Sequence, residues 1–108
     1  MNVKGKSGAM RRRKGVVGER EVRGMFEEAG ATVRGLEGSG DHLVVRIDGK
    51  PFHIECKRQE RLEIPRWLRQ AEAETPEGAV PIVAFRRSRE RWYAVLPLDD
   101  LIREITWR

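Results

Sequence analysis

Glu55 and Lys57 stand two residues apart in the stretch FHIECKRQE, residues 52–60. Phe52, Ile54 and Cys56 alternate there with His53, Glu55 and Lys57, the pattern of a β-strand with one apolar face. Side chains at i and i+2 of a strand point the same way, roughly 6.6 Å apart. An acid and a base therefore share one face. Alone this is a weak signal, because charged pairs occur on many solvated strand faces. Two further acids give it weight. Asp41 follows the loop GSG and opens the strand before this one, and Glu19 lies three and seven positions before Val22 and Phe26, at the border of a buried helical stripe. Two unit charges about 4 Å apart repel by about 4 kcal/mol at an effective dielectric of about 20, so such a cluster calls for a cation. Mg²⁺ is a hard ion that takes oxygen ligands and keeps several waters. A lone cysteine gives no thiolate cluster for zinc, and His42 and His53 lack the helical spacing of a zinc-protease site. An ammonium from Lys57 beside the ion would orient an attacking water and help lower its pKa. Acidic ligands, a divalent ion, an activated water and a cation for the phosphate are the parts that metal-assisted phosphodiester hydrolysis needs.

Positioning these residues takes a particular run of elements. Val22, Met25, Phe26 and Ala29 recur at helical spacing, which predicts a helix over 17–29 with Gly30 as its stop. ATVRGL reads as a short strand and EGSG as a loop. HLVVRI is a second strand, joined to the third through Asp48-Gly49, a pair that favours a tight hairpin. Pro51 suits the start of that third strand and Pro65 the first turn of a second helix. Ile64, Trp67, Leu68 and Ala71 form the apolar stripe of that helix. GAVPIVAF and RWYAVLPL supply two more strands around the basic turn RRSRER, and Asp99 or Asp100 is placed to cap a last helix with Leu101, Ile102 and Ile105. The second helix is long enough to make the fourth strand parallel to an earlier one. The expected fold is α/β, a mixed five-stranded sheet flanked by helices.

At 108 residues and 12.5 kDa the chain has room for one domain. No apolar run approaches the roughly 18 residues of a membrane span. The N-terminus lacks the apolar stretch of a signal peptide, and Cys56 has no internal disulfide partner, so a reducing cytoplasm is expected. The net charge of +5 is uneven: Lys4, Lys6, Arg11, Arg12, Arg13 and Lys14 stand in the first fourteen residues without an acid, leaving sixteen basic against seventeen acidic side chains in the rest. Residues 1–13 are read as a flexible basic arm that binds phosphates, and residues 14–108 as the single folded domain.

The runs KGVVGEREV, VRGLEGSGDHLVV and FHIECK together resemble the archaeal-type Holliday-junction resolvases and their phage relatives. These belong to the PD-(D/E)XK nuclease superfamily, whose core is shared by many restriction enzymes. The likeness covers residues 14–57 motif by motif and continues more loosely through IPRWLRQAE and the C-terminal strands. It implies a restriction-endonuclease-like core and a Mg²⁺-dependent endonuclease, with Mn²⁺ as an alternative ion and no small-molecule cofactor. The implied substrate is four-way junction DNA. By position, Glu19 matches the family's helical acid, Asp41 and Glu55 its two central metal ligands, and Lys57 its catalytic lysine. The carbonyl of Cys56 can add a ligand between them. Arg20 and Arg34 match basic residues that face DNA or support the site, and Ser39 a serine of the loop over it. Gln70 stands where a polar supporting residue is often found. Gly40 departs from the apolar residue that often precedes the Asp. A junction has two-fold symmetry and needs two opposed nicks, so a homodimer is expected.

Plainer readings stand beside these. Glu19 is also placed as a first-turn acid favoured by the helix dipole, as is Glu21. Arg34 is equally a solvated strand residue, and His42 and His53 read as structural or exposed. Glu72 and Glu74 read as a wet helix face, Trp67 and Trp92 as core, and Trp107 as exposed or in an oligomer contact. Two rival functions remain: a nuclease of the same superfamily acting on linear or other branched DNA, and a DNA-binding module without catalysis.

Overall fold

The computed structural model describes residues 17–35 and 42–106. Residues 17–28 are helical (α1). There follow β1 (Thr32–Gly35), β2 (His42–Ile47), β3 (Lys50–Arg58), α2 (Ile64–Glu74), β4 (Val80–Arg86), β5 (Tyr93–Val95) and α3 (Leu98–Thr106). The five strands make one sheet in the order β1-β2-β3-β4-β5. β1, β2 and β3 pair antiparallel, β3 and β4 parallel, β4 and β5 antiparallel. This is the mixed α/β sheet expected, and α2 is the crossover that makes the parallel step possible.

Local chemistry sets the element ends. Asp48 and Gly49 both adopt positive φ, 51° and 80°, so the β2–β3 turn has the backbone that a two-residue hairpin favours. At the end of α1, Gly30 takes φ 91°, its N–H donates to Glu27 O and the Ala31 N–H to Phe26 O. That is a Schellman closure, with Ala31 and Phe26 both packed on the core. Pro65 occupies the first turn of α2, where its missing N–H costs nothing, and the helix closes at Thr75, whose Oγ1 donates to Ala71 O.

Both faces of the sheet are covered, which departs from the single apolar face read for β3. Val22 of α1 packs on Leu43, Val45, Ile54, Cys56 and Ala84 on one face. Trp67 and Ala71 of α2 pack on Val83 on the other, with Phe85 and Val95 beside them. The face carrying Glu55 is therefore roofed in part by a helix, and Glu55 is 1% exposed. The alternation was read correctly, but a parallel crossover brings its helix back over the sheet and buries what alternation alone leaves wet.

Two further details differ. α3 begins at Leu98, so Asp99 and Asp100 sit in its first turn, with Asp100 accepting from Arg103, and neither is the cap. α3 has no buried residue, and Leu98, Ile102 and Ile105 are exposed. An ion pair between Glu104 and Lys50 ties it to the start of β3. No described helix is long and apolar enough to cross a membrane.

Candidate active site

β3 sits at the centre of the sheet and carries Glu55 and Lys57 towards α2. Lys57 Nζ lies 3.5 Å from Glu55 Oε1, and the lysine side chain is 11% exposed. An ammonium this close and this dry sets an opposite charge beside the buried carboxylate. Cys56 turns the other way into the α1 core, paired in register with Ala84. Its backbone lies between the two charged side chains.

The hairpin register sets His42 directly opposite Glu55. His42 is buried, and its Nε2 lies 3.1 Å from Oε2 of Glu74, in the last turn of α2. The other oxygen of Glu74 accepts from Gln70 Nε2 at 3.1 Å, one helical turn back. One ligand atom each from His42, Glu55 and Glu74 lies within 4.8 Å of the others. Carboxylate oxygens and an imidazole nitrogen at this spacing suit a divalent cation. His53, two residues before Glu55 on the same face, has its pKa lowered by burial and then by neighbouring His42.

His42, read as structural or exposed, is buried across from Glu55. Glu74 is half-exposed but engaged with His42 rather than simply wet. His42 was findable: counting back from the two-residue turn places it across from Glu55. Glu74 carried no such signal, because its approach depends on how α2 crosses the sheet.

The other candidates fall in several places. Glu19 lies on α1, which covers the opposite face of the sheet; its Oε1 is 3.3 Å from Arg23 NH2, and it does not join the group around Glu55. Arg20 is exposed on the same helix. Arg34 is exposed on β1 and shares the Glu55 face, through the register Arg34–Val44–His53. Gln70 is exposed and orients Glu74. Arg11, Arg12, Arg13, Lys14, Ser39 and Asp41 lie outside the described residues, as does Trp107.

Neither the curated proteins nor the solved structures give a match to this chain. A family model does, over residues 10–107, nearly the whole sequence. With an acid and a lysine spaced as Glu55-Cys56-Lys57 at the centre of a mixed α/β sheet, the chain belongs to the PD-(D/E)XK family described as "Phage putative PDDEXK endonuclease".

Proposed function

We propose that this protein is a metal-dependent endonuclease that resolves four-way DNA junctions as a homodimer in the cytoplasm. The observation that carries the nuclease reading is the buried Glu55 with the Lys57 ammonium 3.5 Å away, on the central strand of the sheet. Glu55 and Asp41 would hold the ion, with Cys56 offering its carbonyl. A bound divalent ion supplies Lewis acidity to the phosphate and a more acidic water. Lys57 contributes fixed positive charge beside that carboxylate, where it orients the water and offsets charge building on the phosphate. Water adds to phosphorus and the bridging P–O bond breaks, so each event leaves one nick.

The junction reading is supported by the likeness over residues 14–57 and by the cationic arm. Charge alone cannot select a junction, because a linear duplex carries the same phosphates per arm. Two sites at a fixed separation match a branched pair of duplexes and engage a straight one singly. The test is cleavage of a four-way junction, labelled on each strand in turn, against its component duplex arms at fixed salt. Paired symmetric nicks near the crossover are expected. Equal cutting of both DNAs at scattered positions would make the enzyme a general nuclease, and binding with no cutting under any divalent ion would leave a DNA-binding module.

A further inference from the structure

We infer that His42 and Glu74 join Glu55 as ligands of the catalytic ion and bias this site towards a transition-metal ion such as Mn²⁺ over Mg²⁺, an inference that rests on the metal-dependent chemistry proposed above. Three independent features bring these side chains together. The tight Asp48-Gly49 turn sets the register that faces His42 with Glu55. The crossover helix α2 delivers Glu74 from the other direction, so that its Oε2 stands 3.1 Å from His42 Nε2. Gln70 then holds the second oxygen of Glu74, which fixes the rotamer in which the first faces the histidine. Hydrogen bonds of this kind, made by a group behind the ligand, orient ligands in metal sites generally.

The choice of ion follows from donor chemistry. Mg²⁺ favours an all-oxygen shell and strict octahedral geometry, and it sheds water reluctantly. An imidazole nitrogen is a poor exchange for one of its waters. Transition ions accept nitrogen alongside carboxylate oxygen and bind such mixed sites more tightly. His42 is buried, and an imidazole nitrogen is a common ligand of transition ions. Two carboxylates, Glu55 and Glu74, meet within 4.8 Å of the same nitrogen, and a dication offsets their mutual repulsion. The competing account is a structural His42–Glu74 hydrogen bond that binds nothing.

The full chain without DNA is loaded with Mn²⁺ and its nitrogen hyperfine coupling measured by pulsed electron paramagnetic resonance, alongside calorimetric titrations with Mn²⁺ and with Mg²⁺. Nitrogen coupling is expected in the parent protein, retained in His53→Ala and lost in His42→Ala. These are the two histidines of the sequence, so the signal is assignable. Because His42→Ala opens a gap in a buried place, Glu74→Gln serves as the second variant, at a half-exposed side chain. It is expected to weaken Mn²⁺ by roughly tenfold or more, and Mg²⁺ as well, because it removes a carboxylate oxygen that either ion would use. Absent nitrogen coupling in the parent protein, Mg²⁺ bound there as tightly as Mn²⁺, or an unchanged Mn²⁺ affinity in Glu74→Gln would overturn the assignment. The outcome is separable from that of the nuclease reading. Coupling in a protein that cuts no DNA keeps the ion site and removes the nuclease, whereas DNA cutting without coupling removes the site and keeps the nuclease.

Discussion

Glu55 is a carboxylate with almost no contact with water, and its charge depends on what surrounds it. Lys57 supplies a cation from its own strand, and His42 and Glu74 frame it from a neighbouring strand and a helix. Glu55→Gln keeps the shape and removes the charge, so single-turnover DNA cleavage should fall by about 10²–10³-fold or more, while DNA binding on a gel holds or tightens. Asp41→Asn should behave alike, and Lys57→Ala should lose cleavage because no neighbouring ammonium remains. Cleavage within a few-fold of the parent in the Glu55 variant would remove this residue from the chemistry. The pair on β3 was legible because strand alternation is a local property, with period two. His42 was legible in principle from the turn, through register. Glu74 was not, since no local pattern says which residue of a crossover helix comes down over which strand. Helical periodicity placed Glu19 at the rim of the α1 stripe, yet periodicity says nothing about which side of the sheet that helix will cover.

At the scale of elements, each helix that faces the sheet is held by a different kind of contact. α2 is anchored by Trp67, 1% exposed, with its ring 6.3 Å from that of Phe85 and tilted 47°. Truncating it to alanine should cost about 3–5 kcal/mol, seen as a lower urea midpoint. Trp67→Phe should cost clearly less, because the indole N–H has no hydrogen-bond partner among the described residues and its loss leaves no acceptor stranded. α1 is held partly by charge. Glu21 Oε2 accepts from Arg86 at 3.0 Å and from Trp92 Nε1 at 2.8 Å, and its Oε1 lies 3.7 Å from Arg58. One acid thus links α1 to β3, to β4 and to the segment before β5. Gly18, one turn earlier, lets the helix come close: a Cβ there would meet the Trp92 ring at 3.2 Å. Glu21→Ala should destabilise the fold by about 1–3 kcal/mol, measured by urea titration, since two arginines lose their counter-charge. Nothing in the spacing of α1 distinguished Glu21 from any first-turn acid. Two of its partners, Arg86 and Trp92, are 65 and 71 positions away, and only the folded sheet introduces them.

For the molecule as a whole, the charge division between arm and body predicts how DNA binding responds to salt. Deleting residues 1–13 removes five of the basic side chains and leaves Lys14 in place. Each lost phosphate contact should lower the log–log salt slope by about 0.9 on duplex DNA, so binding weakens and its salt dependence flattens. A slope unchanged by the deletion would show that the arm makes no phosphate contacts. The order of strands carries a different consequence. β3 has a ladder on each side and a helix on each face, whereas α3 buries none of its side chains. Backbone amides protected this way trade their protons for deuterium only when the whole sheet comes apart, while those of a helix without buried contacts can trade them during a small local opening. The strand that carries Glu55 and Lys57 is thus among the last parts of the chain to open, and the C-terminal helix can fray and re-form many times while the catalytic strand stays shut.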